Sequence, residues 1–392
     1  MRSDSLESLL IALSASPEVG YEAACRLAAA VSGSIDGASR DWTGAAAGAV
    51  GRLAQELGVA KERLARALVV AARRSSIAEA ALADARRHGV RVITRASPEY
   101  PRGLLDLELP PPTLWLRGTL PAAPCLSIVG PRNADRWALE IARGLAHDLA
   151  ARGLVIVSGF ARGVDATAHR AALEAPGGGT VAVLGCGHAI AYPQQHHELA
   201  GPISASGAVI SEFPCDTPPA AWRFPVRNRI IAALGLGTLV IQASVQSGSL
   251  ITARLALELG REVYAVPGRP SDRRSRGSNL LLRDGAHLAL DASSILDTLP
   301  LAVLDRLDAG LEPRRCDRVR DDPTRPEAGG SVARRVLAAI SAGGIEVEEL
   351  SRRLELGMDV LLGVLLELEL DGRVRRLSRR EYAPTAGRGR PG

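Results

Sequence analysis

Residues 125–165 read CLSIVGPRNADRWALEIARGLAHDLAARGLVIVSGFARGVD, and this stretch decides the fold. An apolar run, Leu126–Val129, ends in Gly130-Pro131. Trp137, Ile141, Leu145 and Leu149 then recur every four residues, which predicts a helix with one apolar face. A second apolar run, Leu154–Val157, follows, with a second glycine-bearing loop, Ser158-Gly159-Phe160-Ala161-Arg162-Gly163. Strand, glycine turn, helix and strand form a unit whose strands are apolar throughout, the pattern of a parallel sheet covered on both faces.

The alternation persists downstream, with further runs at Thr180–Leu184, Ala208–Ile210, Thr238–Ile241 and Glu262–Val266. The expected fold class is α/β, a doubly wound, Rossmann-like, mostly parallel sheet. Upstream, Val90–Ile93 predicts one more strand, and Pro110-Pro111-Pro112 a stiff connector. Residues 1–85 are rich in Ala and Leu. Helical spacing at Leu6, Leu9, Leu10 and Leu13, and at Leu53, Leu57, Leu64 and Leu68, is broken at Ser16-Pro17, Ser32-Gly33 and Gly44, as in a small helical domain. Residues 301–330 mix both charges with Pro and Gly and are expected to be a linker. Beyond it, residues 331–392 suggest three helices (around Val332–Ile340, Glu348–Leu354 and Asp359–Leu370). A turn signal, Asp371-Gly372, then a basic hairpin and a disordered tail complete a winged helix. The expected division is therefore 1–85, 86–300, 301–330 and 331–392.

Composition excludes several function classes. The 392 residues are 46% hydrophobic and carry a formal charge of +5, yet Lys61 is the only lysine among 48 basic residues. A P-loop, a protein kinase and a pyridoxal enzyme each require a lysine in a specific setting. Lys61 has neither a preceding strand nor a glycine-rich loop. The five cysteines (25, 125, 186, 215 and 316) lack zinc-finger or disulfide spacing and are read as isolated thiols. No apolar run reaches the roughly eighteen residues of a membrane helix, the best being Ile230–Ile241, and Asp4 and Glu7 interrupt the region where a leader would be basic. A cytoplasmic protein with no membrane association is expected.

In doubly wound sheets, ligands bind where loops leave the carboxyl ends of strands. There, Gly130, Gly159 and Gly163 allow backbone to approach a phosphate, and Arg132 and Arg162 add charge; alternatively, the glycines only make tight turns. The segment Trp222-Arg223-Phe224-Pro225-Val226-Arg227-Asn228-Arg229 interleaves aromatics, arginines and an amide, which suits unpaired bases and a phosphate backbone. Its structural alternative is an ion pair from Arg227 or Arg229 to a neighbour such as Glu212, with Phe160 and Phe213 in the core. Ser247, Gly248 and Ser249 open a further helix, Leu250–Leu259, and offer amides and hydroxyls. A dinucleotide site is disfavoured, since no G-x-G-x-x-G follows the first strand. His196-His197-Glu198 points to different sides of a helix, so no metal is expected. No G-x-S-x-G elbow is present, and no catalytic residue is assigned.

These residues resemble the DNA-processing protein A family (DprA/Smf) over about residues 90–299. The ordered blocks are Ile128–Arg132, Ser158–Asp165 with Ala168-His169, Tyr192-Pro193, Ser211–Pro214, Phe224–Arg229, Ser247–Ala253 and Arg261–Gly268, with Tyr100-Pro101, Leu104-Leu105 and Pro111-Pro112 as a lead-in. The resemblance implies single-stranded DNA binding and assistance to RecA loading in natural transformation, with no cofactor. It also implies a homodimer through the Rossmann-like domain. Carried onto this chain, it implies that Arg132 contacts phosphate, that Phe224 stacks near a base and that Arg227 and Asn228 line the same pocket. Pro131 departs from the family's Ser or Thr, removing a hydroxyl and a backbone N–H. The N-terminal helices resemble a SAM or helix-hairpin-helix module, and Leu366–Val374 the family's winged helix. Five arginines between Arg373 and Arg380 favour DNA there, against Glu346, Glu348 and Glu349. The rival is an enzyme, a LOG-like nucleotide phosphoribohydrolase, which needs a glutamate in a Pro-Gly-Gly-x-Gly-Thr loop. The corresponding Ser247–Ala253 loop has no acid before Glu258, and the similar Pro176-Gly177-Gly178-Gly179-Thr180 precedes a strand.

Overall fold

The computed structural model describes residues 2–33, 54–55, 58–190 and 192–310. In the C-terminal part it describes 335–337, 339–340, 345–354, 356–358, 361–362, 364–365, 368, 374–378 and 381–384. Leu53, Leu57, Gly44, Cys316, Asp371-Gly372, Arg373, Arg379, Arg380 and positions 311–330 lie outside the described residues. Two compact units divide near residue 312.

In the first unit, the described residues begin with helices α1 (Arg2–Ala15), α2 (Tyr21–Gly33), α3 (Lys61–Ala72) and α4 (Arg74–Arg87). The sheet strands follow as β1 (Arg91–Thr94), β2 (Thr113–Gly118), β3 (Cys125–Val129), β4 (Val155–Ser158), β5 (Thr180–Val183), β6 (Ala208–Ser211), β7 (Gly237–Val240), β8 (Glu262–Ala265) and β9 (His287–Leu288). Between them lie α5 (Arg136–Ala151), α6 (Val164–Glu174), α7 (His197–Ser206), α8 (Arg223–Leu234), α9 (Gly248–Glu258), α10 (Arg276–Arg283) and α11 (Ala292–Leu296). The nine-stranded order is β1-β2-β6-β5-β4-β3-β7-β8-β9. Pairs from β6 across to β9 are parallel, while β2 pairs antiparallel with both β1 and β6. The chain winds outward from β3 in one direction, then returns and winds outward from β7 in the other. A crevice therefore opens at the carboxyl ends of β3 and β7.

Strand residues alternate between two cores. Leu154 and Ile156 pack with α5 and α6, and Val155 and Val157 with α8 and α9. Burial on both faces explains why these strands read as unbroken apolar runs. Asp135 caps α5 by accepting from Ala138 N–H at 2.9 Å.

Three readings need correction. Trp137 does not belong to the buried stripe of α5; it is 41% exposed, and the buried row runs through Ala138, Ala142, Leu145, Ala146 and Leu149. The bulky residues mislead because small alanines let α5 approach the sheet closely. Second, β2 follows directly on the proline connector, where only a connector is expected. Third, residues 301–310 are a helix, α12 (Leu301–Gly310), whose Val303, Leu304 and Leu307 join the α5/α6 core, so a linker does not begin at 301. The N-terminal helices pack on the same unit: Ala85 of α4 meets Val90, Trp115 and Cys215.

The second unit contains a three-stranded antiparallel sheet in the order β10-β12-β11, from β10 (Ile345–Glu346), β11 (Val374–Ser378) and β12 (Glu381–Pro384), with α13 (Val347–Leu354) between β10 and β11. Val336, Ile340, Val347, Leu350, Leu361, Leu365, Val374 and Tyr382 form its core. Among the described residues, no helix is long and apolar enough to cross a membrane.

Candidate nucleic-acid interface

A cavity of about 620 Å³ opens at the carboxyl ends of β3 and β7, within the range of small-ligand clefts. Its lining includes Gly130, Arg132, Phe224, Arg227, Asn228, Ser247, Gly248 and Ser249, drawn from three separate segments of the chain. A narrower recess of about 60 Å³ shares Arg132, Phe224 and Arg227 with it and adds Gly159 and Arg162.

The loops are set by backbone contact. Gly163 has φ +76°, and a side chain there would collide with the carbonyls of Pro131 and Arg132. The Pro131 carbonyl accepts Val164 N–H at 3.3 Å, which fixes the first loop on the start of α6. Phe160 occupies the left-handed region at φ 61°, unusual for a bulky residue and often a mark of a functional turn. Its ring sits in the core with Leu184 and Leu199, and Phe213 is buried too, so both follow the structural alternative.

Arg132 is exposed, and its guanidinium lies 5.1 Å from the centre of the Phe224 ring. Tyr192 joins this cluster, its ring 5.4 Å from that of Phe224. Among the described residues, no carboxylate pairs with Arg132 or Arg162 within 4 Å. An uncommitted cation held on an aromatic face at a cavity mouth is suited to a phosphate with a neighbouring base. Tyr192 is the residue that sequence reasoning passed over; the Tyr192-Pro193 dipeptide was its only signal.

Arg227 lines the cavity and the recess with Phe224, as expected, but its guanidinium is committed to the protein's own backbone. It is 4% exposed, and its guanidinium donates to the carbonyls of Gly159 and Val183. Burial pushes its pKa down to about 10, opposed by the nearby Asp165. Asp165 is itself buried and accepts Ala161 N–H at 3.2 Å; burial raises its pKa, and Arg227 pulls it back. Arg227 is thus a strut tying the ends of β4 and β5 to α8, and Asn228 accepts from its Nε at 3.3 Å. Ser158 is corrected likewise: fully buried, it donates to the Ile128 carbonyl at 2.7 Å and cannot meet a ligand. Arg223 lines neither cavity. It donates to the Pro218 carbonyl and lies over Phe213 and Trp222.

Ser247 caps α9, its hydroxyl 2.6 Å from that of Ser249. Glu258 ends the same helix, roughly 15 Å from its start at 1.5 Å per residue, so it cannot supply an acid to the cavity. Cys186 lines the recess, but burial pushes its thiol to about 11, too high for a nucleophile at neutral pH.

The family model described as DNA recombination-mediator protein A matches residues 91–300, more than half of the chain, and the DprA winged helix domain model matches 320–378. The chain belongs to the DNA recombination-mediator protein A family. It is 43% identical to Protein Smf of Escherichia coli over 203 residues, 51% of this chain and 54% of that one. It is 38% identical to DNA processing protein DprA of Bacillus subtilis over 222 residues, 56% of this chain and 74% of that one. The chain thus spans about half the length of the E. coli relative. The X-ray structure of DNA processing protein A from Streptococcus pneumoniae superposes with a TM-score of 0.57 at 31% identity, covering 64% of this chain and 87% of that one. Family membership accounts for the doubly wound sheet and for the winged helix at the C-terminus.

Proposed function

We propose that the groove at the carboxyl ends of β3 and β7 binds single-stranded DNA, and that the chain acts in DNA processing as a binding protein without turnover. The observation that carries this reading is the Arg132–Phe224–Tyr192 cluster, a free cation and aromatic surface at the mouth of a cavity. Relatives named for DNA processing support it. Recombination during natural transformation, a RecA recombinase as partner, a homodimer through the Rossmann-like unit and a cytoplasmic location belong to the same proposal. The binding residues it retains are Gly130, Arg132, Gly159, Arg162, Gly163, Asn228, Phe224, Ser247, Gly248 and Ser249.

Competition titration of the full chain tests it. Single strands should displace duplex with little sequence preference, because stacking tolerates every base. Arg132→Ala should weaken binding across all sequences and flatten the log–log salt dependence by roughly 0.7, the release of one phosphate's counterion. Equal affinity for duplex and single strand would overturn the proposal, and ribose phosphate released from a nucleotide would favour the phosphoribohydrolase.

Phe224→Ala should differ in kind. The ring is half-buried, so its loss should cost DNA affinity of about 1–3 kcal/mol with an unchanged salt slope. A melting temperature that collapses while DNA affinity holds would return Phe224 to the core.

A further inference from the structure

The last turn of α4 carries Asp84, and His88 follows four residues later, so both side chains leave one face of the helix end. The loop after β6 brings Cys215 to that face. One ligand-capable atom from each of the three residues lies within 4.8 Å of the other two. Cys215 has no exposed surface, while Asp84 and His88 are half-buried with access to solvent. His88 Nδ1 stands 3.6 Å from Asp84 Oδ1 and donates to the Asp84 backbone carbonyl at 2.9 Å, a bond given up when the proton moves to Nε2 and Nδ1 turns to a cation.

Zinc bonds of about 2.0–2.1 Å to nitrogen and oxygen and about 2.3 Å to sulfur, set at tetrahedral angles, space the ligands roughly 3.3–3.6 Å apart. The three atoms, all within 4.8 Å of one another, reach that spacing when the side chains draw in by at most about 1.5 Å. A thiolate beside an imidazole selects a borderline-soft ion and argues against magnesium or calcium, which require oxygen ligands. Arg87 also donates to Asp84 Oδ1 at 2.8 Å, and a carboxylate oxygen that accepts one hydrogen bond keeps a second lone pair for a cation.

We propose that Asp84, His88 and Cys215 bind a zinc ion, with water in the fourth position. The Cys215 thiol gives its proton to solvent on binding; imidazole enters neutral, carboxylate enters ionised, and nothing is oxidised or reduced. The ion clamps the end of the N-terminal helical layer to the loop that continues into the cavity wall at Pro219, Ala220 and Ala221.

The test is titration of the chelator-stripped full chain with cobalt(II), followed by zinc. The expected result is one cobalt per chain, with a thiolate-to-metal charge-transfer band and tetrahedral visible bands that zinc abolishes, and a melting temperature that zinc raises. Cys215→Ser should remove the charge-transfer band. Asp84→Asn and His88→Gln, at half-exposed positions, should each weaken zinc binding at least about tenfold, a loss seen even when a residue behind a ligand is removed. The proposal is overturned by a wild-type chain with no charge-transfer band, by a band at full strength in Cys215→Ser, or by unchanged affinity in both half-exposed variants. If Cys215→Ser does not fold, those two variants decide.

Discussion

Arg227→Met is expected to lower the melting temperature of the full chain by on the order of 10 °C, corresponding to about 3–5 kcal/mol. Methionine fills much of the volume of the arginine stem, so the loss isolates the guanidinium. Without it, the carbonyls of Gly159 and Val183 lose their donor at the ends of two adjacent strands. Asp165 loses the cation that offsets its burial. An unpaired buried acceptor costs about 1–3 kcal/mol, and an uncompensated buried charge costs more. The salt slope of DNA binding by the folded fraction should stay at the wild-type value, because the Arg227 guanidinium is held by backbone carbonyls. Differential scanning calorimetry and the salt titration together check this. A variant that melts like wild type but loses one phosphate's worth of slope would make Arg227 a DNA contact after all.

Arg132 and Arg227 look alike in sequence, and their separation shows where sequence reading stops. Periodicity located six parallel strands and the first helix, because burial on both faces leaves an unbroken apolar run and that signal is local. The antiparallel β2 escaped, since it directly follows three prolines. The loops that line the cavity were legible from glycines and arginines at strand ends. Which arginine faces solvent was not, because that depends on partners distant in sequence: Gly159 and Val183 for Arg227, Phe224 for Arg132. Ser158 failed for the same reason. Its hydroxyl satisfies the Ile128 carbonyl on the neighbouring strand, a contact set only by sheet register. Tyr192 required the opposite correction, since only the fold brings its ring to Phe224.

Arg229 presents the opposite case to Arg227, an ion pair that the sequence did offer. Its guanidinium meets Glu212 at 2.5 Å, with side-chain exposures of 12% and 1%, and lies over the Tyr21 ring of α2 at 5.1 Å. Arg229→Ala should therefore cost about 3–5 kcal/mol at neutral pH, because it leaves the buried Glu212 carboxylate without its ion-pair partner. The penalty should depend on pH with a definite sign. Burial already raises the Glu212 pKa, and Arg229 is the cation that pulls it back. Removing that cation raises the folded-state value further above the unfolded value of about 4.3. The folded state then holds a proton that the unfolded state releases, so the variant loses stability as pH rises through that window and recovers part of it as pH falls. Melting curves of wild type and variant should draw together toward pH 5 and separate toward pH 8. Pairing Arg229→Met with Glu212→Leu should restore most of the loss, since apolar replacement of a whole buried pair is often neutral. A double variant no better than Arg229→Ala alone would place the cost in lost packing against Tyr21, and the pH dependence would then vanish with it.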